Sequence, residues 1–390
     1  MRNGLNNRER AGIFPALLVW ARQGQRALAA SAPGRIQGAV ALRRHGARHA
    51  CEEPLPPRPG RRCLALLSPR RGGLLSLLLA AWPAFAQEAP RLALPLDCIP
   101  GRTCHIQNYV DADPGSGARD FTCGPLTYDG HKGTDFALPD LALMRARVTV
   151  RAAAPGRVTG LRDGMADTPW TPETNLGGKD CGNGLVIDHG HGWETQYCHM
   201  ARGSLMVRKG QQVDTGAPLG RVGMSGRSQF PHLHLSLRHD GQVVDPFAPD
   251  TPATCGTEPA AQLWVDPLPY QPGGIISTGF LDALPGYSDI KAGTAARPAL
   301  PADSPALVLW AHLFGVRAGD RLTLVVHAPD GTFSRQDITL DRPQAQLFPR
   351  PWQAPARAPR ARSLHGAGHS DPRRESPVTD HLAGSDHPLT

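Results

Sequence analysis

The chain has 390 residues, of which 43 are Gly and 39 are Pro, and aromatic residues make up only 6%. So many helix-breaking residues exclude a coiled coil or a long helical bundle. The formal net charge of +8 would ordinarily favour an anionic partner such as nucleic acid. The positive charge lies in the two ends, however, because residues 87–347 hold 22 basic and 27 acidic residues. We therefore expect no nucleic-acid partner, and the length favours two domains.

The N-terminal end has the composition of a processed leader. Residues 70–86 contain a basic pair, a short apolar run and a small-residue cleavage site, and this order predicts a secretory signal peptide. Residues 1–69 are Arg-rich and acid-poor, so we interpret them as a disordered upstream extension that follows a start codon assigned too early. A genuine basic extension is the alternative. The predicted product is exported to the periplasm or the extracellular space, with no stable membrane anchor after cleavage.

The C-terminal residues 348–390 show no hydrophobic periodicity. Such a segment cannot bury enough apolar area to fold. We expect a disordered tail, produced either naturally or by a frameshift that truncated the preceding domain.

Six of the eight cysteines follow the predicted cleavage site: Cys98, Cys104, Cys123, Cys181, Cys198 and Cys255. An even number in an exported chain favours disulfides, although the connectivity stays open. Cys98 with Cys104 would close a short loop. Cys181 with Cys198 would join the open end of a hairpin, which leaves Cys123 with Cys255. A thiolate zinc cluster is the competing interpretation, but no CxxC spacing occurs.

The exported part divides into three segments. Residues 87–128 carry several turn signals and predict a loop-rich, disulfide-bearing segment. In residues 129–256 short β-type runs alternate with glycine turns, and residues 257–347 restart this pattern. We predict an all-β protein, in which an antiparallel, barrel-like sheet with a groove precedes a small β-sandwich that is truncated if the tail is frameshifted. The predicted strands span residues 147–152, 156–161, 185–189, 194–199, 212–213, 219–222, 233–237, 274–281, 306–313, 321–328 and 336–340.

Three further observations complete this organisation. The polar stretch 162–181 separates two predicted strands, and long loops of this kind often line a site. No segment predicts a helix of three turns. The pair Asp330-Gly331 is typical of a hairpin turn between two strands of the second unit.

Seven of the sixteen histidines fall between residues 131 and 239. The motif His131-Lys-Gly-Thr-Asp135 offers one nitrogen and one oxygen ligand, both suited to Zn²⁺. In Pro231-His232-Leu-His234-Leu-Ser236, strand alternation places the two histidines and the serine on one face and the leucines in a core. Taken singly these motifs are weak, since packed or exposed histidines give the same pattern.

A third motif, Gln196-Tyr197-Cys198-His199, ends another predicted strand, with Tyr197 and His199 expected on one face. The preceding GNGLVIDHGHG stretch turns at Gly190-His191-Gly192. We expect this turn to form the hairpin that positions His199.

These motifs occur in order with the GNGLVIDHG strand at 182–190, the glycine-turn segment at 213–228 and the closing GQVVDP at 241–246. The set resembles the lysostaphin-type (LytM-type) zinc endopeptidases over about 120 residues. The resemblance implies one Zn²⁺ per chain, held by His131, Asp135 and His234 with an open fourth position. It also implies that His199 and His232 are the two non-ligand catalytic histidines. We interpret His189 and Tyr197 as structural residues or as supports of the site.

The expected chemistry is hydrolysis of a peptide bond. Zinc with an open position activates water at neutral pH. Because no HExxH motif supplies a glutamate, we expect His199 to act as the base and His232 to stabilise the oxyanion or protonate the departing amine. The resemblance points to peptidoglycan cross-linking peptides as the substrate, and we expect a monomer.

Two other functions fit parts of the sequence. Relatives that have lost metal ligands activate other cell-wall enzymes, but all three expected ligands are present here, which favours the peptidase. A secreted protein-binding or glycan-binding module would account for the β-sandwich, which more simply assists the catalytic unit or packs against it. The long loop and the cysteines depart from the simplest relatives, so the preferred substrate peptide stays open.

Overall fold

The structure is a computed structural model that describes residues 37–43, 88–249, 261–301, 304–328, 331–349 and 351–353. In this part of the chain the regular structure is almost entirely β, and every pair of named strands is antiparallel. The predicted all-β class is therefore confirmed. The predicted signal peptide at 70–86 lies outside the described residues.

The described residues form seventeen strands and two short helices. The strands are β1 (Gln37–Arg43), β2 (His105–Asn108), β3 (Thr134–Ala137), β4 (Thr149–Arg151), β5 (Gly156–Arg162), β6 (Asn183–Gly190), β7 (Trp193–Met200), β8 (Gln212–Val213), β9 (Pro218–Arg221), β10 (His232–His239), β11 (Gln242–Val244), β12 (Gly274–Leu281), β13 (Val308–Val316), β14 (Arg321–Ala328), β15 (Gly331–Thr339), β16 (Gln344–Leu347) and β17 (Trp352–Gln353). The helices are α1 (Leu141–Arg145) and α2 (Tyr287–Ala292). Neither of these helices has the length or the apolar character needed to cross a bilayer.

An eight-stranded sheet forms the first β unit, in the order β2-β3-β10-β7-β6-β5-β8 with β11 added to β10. Strand β10 lies near its centre because its alternation gives it one fully apolar face. Leu233, Leu235 and Leu237 are at most 1% exposed, as the sequence predicted. The intervening positions are thereby directed to the opposite face, where the histidines lie.

The hairpin of β6 and β7 turns at Gly190-His191-Gly192, where all three residues have positive φ. This confirms the predicted turn, since glycines tolerate the left-handed region at little cost. The turn sets the register that places Asp188 opposite Glu194 and Leu185 opposite Tyr197. As a consequence the far end of β7 reaches the face that carries the β10 histidines.

Two smaller sheets form the predicted β-sandwich. One has the order β12-β13-β16 with β17 added to β13, and the other has the order β1-β14-β15. Leu313 of β13 and Leu322 and Leu324 of β14 are at most 1% exposed and belong to one apolar cluster. The two sheets therefore pack face to face on a shared core.

Two strands correct the expectation that the ends are disordered. Residues 37–43, within the predicted upstream extension, pair with β14 from Gln37 opposite His327 to Arg43 opposite Arg321. Residues 352–353, within the predicted tail, pair with β13. A short strand added to an existing sheet needs no core of its own, so composition alone did not reveal it. The remaining residues of both ends lie outside the described part, apart from 348–349 and 351.

The segment 87–128 is loop-rich, but it also supplies β2, which the sequence did not predict. Strand β2 pairs with β3 and lies against the β-sandwich, because the His105 and Phe314 rings are 4.4 Å apart. The Gln107 side chain donates to the Ala345 carbonyl and accepts from Gln346. The N-terminal segment thus connects the two β units.

The disulfides agree with the candidate pairing where they are described. Cys98 is bonded to Cys104 and Cys181 to Cys198. Cys123 is also disulfide-bonded, while Cys255 lies outside the described residues. These five cysteines are consequently not ligands of a thiolate zinc cluster.

Candidate metal centre

The centre is assembled where β3 and β10 run side by side. Asp135 of β3 is the register partner of His234 on β10, and His131 lies just before β3. All four residues of β3 are buried, so the Asp135 carboxylate is only 2% exposed. Sequence separation between these motifs is large, but the strand pairing brings them together.

His131, Asp135 and His234 form the one metal-compatible cluster found among the described residues. Nε2 of His131 lies 3.1 Å from Nδ1 of His234. Oδ1 of Asp135 lies 3.2 Å from that His131 nitrogen and 2.8 Å from that His234 nitrogen. Three potential ligand atoms thus form a nearly equilateral triangle.

The hydrogen bonds around the triangle determine which nitrogens carry lone pairs. His131 donates its Nδ1–H to the Tyr109 carbonyl at 2.6 Å. The Ser236 hydroxyl donates to the Lys132 carbonyl at 2.6 Å, so its oxygen accepts from His234 Nε2–H at 3.1 Å. The remaining nitrogens, Nε2 of His131 and Nδ1 of His234, both face Asp135 as acceptors.

This donor set fits a zinc ion. Three acceptor atoms at hydrogen-bond distance repel one another unless a cation lies between them. Tetrahedral ligands at ~2.0–2.1 Å from zinc are about 3.3 Å apart, close to the separations of this triangle. Two imidazole nitrogens and one carboxylate oxygen are also the ligand types that zinc accepts, and they leave a fourth position open.

A second contact holds the Asp135 carboxylate in place. Asn108 of β2 donates its side-chain amide to Oδ2 at 2.8 Å, which leaves Oδ1 directed at the two histidines. Burial opposes ionisation of Asp135, but the neighbouring His131, His232 and His234, in their protonated forms, outweigh it and hold the pKa of the carboxyl well below its usual value. Burial likewise opposes protonation of His131, whereas Asp135 raises its pKa.

His199 and His232 lie together beside the triangle, with ring centroids 4.6 Å apart. His199 donates Nδ1–H to the Ser225 carbonyl at 2.8 Å, and His232 donates Nδ1–H to the Phe230 carbonyl at 2.9 Å. The Nε2 atom of each ring therefore carries the lone pair, and that of His232 lies 3.5 Å from Asp135. Burial lowers the pKa of both rings.

The expected common face of Tyr197 and His199 is wrong. Tyr197 is fully buried in the main core, and its hydroxyl accepts from the Ala153 amide at 2.8 Å. His199 has a φ of 62°, which breaks the strand alternation and turns its ring toward His232. An alternating sequence pattern cannot predict a residue with left-handed backbone, since the pattern assumes an extended strand.

His189 and Tyr197 belong to a different part of the sheet. His189 contacts the Pro155 carbonyl at 2.7 Å and the Thr195 hydroxyl at 2.8 Å, and Thr195 donates to Tyr197. Burial lowers the pKa of His189. This chain of contacts joins β6, β7 and the loop before β5, which favours the structural interpretation of both residues.

Sequence reasoning missed several residues that shape the centre. Asn108 was overlooked because it lies in the segment interpreted as loop, and Ser225 and Ser228 because they contact histidines through loops. Ser228 Oγ lies 3.2 Å from His232 Nδ1. The glycine-turn segment 213–228 was singled out, and its closing Ser-Gly-Arg-Ser was the available signal for these contacts.

Comparison with known proteins gives one family and several relatives. Residues 129–246 match the family described as Peptidase family M23. The chain is similar to the peptidoglycan DD-endopeptidase ShyA of Vibrio cholerae serotype O1, with 32% identity over 122 residues, which are 31% of this chain and 23% of ShyA. It is also similar to the murein hydrolase activator EnvC of Escherichia coli K12, with 37% identity over 62 residues, 16% of this chain and 14% of EnvC.

Among solved structures, the chain is similar to the catalytic domain of the prophage-encoded M23 protein EnpA from Enterococcus faecalis. The TM-score is 0.25 at 25% identity, and the match covers 38% of this chain and 92% of that one. The chain spans only about a quarter of the length of ShyA. The family match begins two residues before His131 and ends one residue after Asp245. The match to Peptidase family M23 therefore includes the whole triangle and both neighbouring histidines.

Proposed function

We propose that the protein is an exported zinc metalloendopeptidase that hydrolyses peptide cross-links of peptidoglycan. The observation that carries this proposal is the triangle of acceptor atoms from His131, Asp135 and His234, which lies beside two histidines with unoccupied Nε2 lone pairs. The chain is similar to the peptidoglycan DD-endopeptidase ShyA, and this similarity supports peptidoglycan as the substrate. The location of that polymer outside the cytoplasm and the sequence of residues 70–86 support the proposed export.

The ligands proposed for zinc are His131 through Nε2, His234 through Nδ1 and Asp135 through Oδ1. When bound, the ion supplies a Lewis acid that activates water and polarises the scissile carbonyl. Tyr109 and Ser236 keep the two imidazoles in the required tautomers by the hydrogen bonds described above. Asn108 holds the second oxygen of the carboxylate, so the ligand atoms are preorganised.

The two other histidines are assigned to proton transfer. His199 accepts the proton of the attacking water at Nε2, while its Nδ1–H remains bound to the Ser225 carbonyl. In its Nε2-protonated form, His232 donates a hydrogen bond to the charge that develops on the carbonyl oxygen or gives that proton to the departing amine. The Ser225 and Phe230 carbonyls fix the orientations of the two rings. Less entropy is therefore lost when the reactive geometry forms.

A catalytically silent scaffold is the second candidate function. It is favoured by the similarity to EnvC, whose name describes an activator of murein hydrolases. Both candidates place the same domain in the cell wall, but only the peptidase needs all five residues of the centre. Zinc binding alone does not separate them, so hydrolysis must be measured.

The decisive experiment combines metal content with turnover. The purified protein is expected to hold one zinc per chain and to release free amines from peptidoglycan. His131→Ala is expected to lose both properties, while His199→Ala keeps the metal and loses hydrolysis. The matched control is His191→Asn, an exposed turn residue with positive φ, which should retain both.

Two results would contradict the proposal. Full hydrolysis by His131→Ala would remove that residue from the metal centre. Zinc-loaded wild-type protein without hydrolysis, which nevertheless stimulates another cell-wall hydrolase, would establish the scaffold.

A further inference from the structure

The long loop 162–181 forms most of a pocket that the proposed mechanism does not use. The pocket has a volume of about 260 Å³ and is lined mainly by the loop itself, with Met165, Trp170, Asn175, Leu176 and Lys179 among its walls. This is smaller than a typical site for a drug-sized ligand, ~300–1,000 Å³. The volume suits one side chain or one terminal residue of a peptide.

The loop is anchored on both sides of the pocket. Buried Asn183 exchanges two hydrogen bonds with the backbone of Met165. Asp167 accepts from the amides of Arg202 and Met224, and the loop ends in the Cys181–Cys198 disulfide. With these restraints the pocket walls are held before any ligand arrives, which reduces the entropy lost on binding.

The pocket shares a wall with the segment that orients both proton-transfer histidines. Gly226 lines the pocket, while its neighbour Ser225 binds His199 and Ser228 contacts His232. The Trp170 amide also donates to the Ser228 carbonyl at 2.8 Å. The backbone of residues 225–228 therefore joins the pocket to the two histidines beside the triangle.

The charge of the pocket lining determines the charge of the ligand group that it favours. Lys179 is the only charged residue in its described lining. Nearby carboxylates have other partners, since Asp180 pairs with Arg227 at 2.9 Å and Asp167 accepts from two amides. Arg227 in turn lies over the Trp170 ring at 5.2 Å. No described carboxylate forms an ion pair with Lys179, so its positive charge is available to a ligand.

We propose that this pocket binds a carboxylate-bearing residue of the substrate peptide and makes the loop a determinant of specificity. The carboxylate pairs with Lys179, and the apolar part of the residue lies against Trp170 and Leu176. This inference rests on the proposed function, since it names the peptide group that the same site prefers. It predicts selection between peptides that differ in one charge.

The test uses two cross-linked peptide fragments of peptidoglycan that are identical except that one has its free carboxylates converted to carboxamides. Binding is measured by calorimetry with the Asp135→Asn variant, which separates recognition from turnover, and hydrolysis is measured with the wild type. We expect the carboxylate peptide to bind about fivefold more tightly, as a partly exposed ion pair allows. Lys179→Ala in the same background should abolish this preference, and Lys179→Glu should reverse it.

Two further variants make the result specific. Trp170→Ala should weaken the binding of both peptides while the preference remains, because the indole contacts the apolar part. Lys209→Ala, which removes an exposed lysine outside the pocket lining, should leave affinity and preference unchanged.

Equal affinity for the two peptides, or a preference that survives Lys179→Ala, would overturn the pocket assignment. Hydrolysis is a separate readout. If the wild type cleaves neither peptide while the carboxylate preference persists in binding, the proposed peptidase activity fails and the pocket stands.

Discussion

Gly133 shows how little space the metal centre leaves. A Cβ atom at this position would lie 2.6 Å from the Leu235 carbonyl oxygen and 2.7 Å from His234 Nε2. Both distances are below any van der Waals contact, so a side chain would displace β10 or the His234 ring. The glycine of the His-Lys-Gly-Thr-Asp motif is thus required by close approach of two strands.

We predict that Gly133→Ala lowers zinc content and hydrolysis together. The displaced His234 ring can no longer share an ion with His131 and Asp135, and overpacking costs about 1–3 kcal/mol of stability. Zinc per chain, measured by mass spectrometry, and the melting temperature check this. Gly160→Ala is the matched control, because its Cβ would meet nothing within 4 Å; equal zinc content in both variants would refute the argument.

Asn108 gives a second prediction at the level of a single contact. Asn108→Ala removes the donor at 2.8 Å from Asp135 Oδ2, so the carboxylate gains rotational freedom. We expect zinc affinity to fall by roughly 10–100-fold, as measured by competition with a chelator. Gln212→Ala, on an exposed position of β8, is the control, and an unchanged affinity in Asn108→Ala would show that Asn108 does not orient the ligand.

At the scale of elements, the Cys181–Cys198 disulfide ties the long loop to strand β7 next to His199. The carbonyl of Cys181 also accepts from the His199 amide at 2.8 Å. The bridge therefore supports both the loop and the left-handed residue that directs a histidine into the centre. Loss of the bridge should affect folding and catalysis at once.

We predict that the double variant Cys181→Ala, Cys198→Ala loses about 3 kcal/mol of unfolding free energy, because the bridge closes a span of 17 residues. Its kcat should also fall. The control Cys98→Ala, Cys104→Ala opens a span of 6 residues and should lose about 2 kcal/mol with kcat retained. Denaturant titration and turnover measure both effects, and equal kcat losses would argue against a local role for the first bridge.

The elements also show what the sequence can predict and what it cannot. Alternation in β10 predicted which residues enter the core and which share the site face, because strand geometry alone decides it. Strand β2 was missed because its pairing with β3 depends on a distant segment. The orientation of His199 was missed because a positive φ depends on tertiary contacts, and the family pattern rather than periodicity placed this residue at the centre.

At the scale of the whole molecule, two buried histidines lie where the β units meet. Burial lowers the pKa of His105 and that of His312 to about 4. His105 contacts Gln107 and Phe314, while His312 contacts Tyr287 and is near the positive charge of Lys291. Neither ring has an acidic partner in these contacts, so protonation in the folded state is disfavoured.

We predict that the protein loses stability as the pH falls from about 6.5 to about 4. In that window the unfolded chain binds protons that the folded chain excludes, so unfolding free energy declines by roughly 3 kcal/mol per histidine. Above this window both states are neutral and the contribution is complete. Melting temperatures across this range should depend less on pH in His105→Gln and in His312→Gln, while His191→Asn should follow the wild type.

Strand β1 pairs with β14 but lies before the predicted cleavage site at Ala86. Processing after Ala86 would detach residues 37–43 from the chain that follows, and β14 would then expose the backbone groups of a ladder of seven residue pairs. An uncovered strand of that length is a template for another segment. Mass spectrometry of the mature N-terminus therefore also shows whether β14 keeps β1 as its neighbour or must pair with another segment.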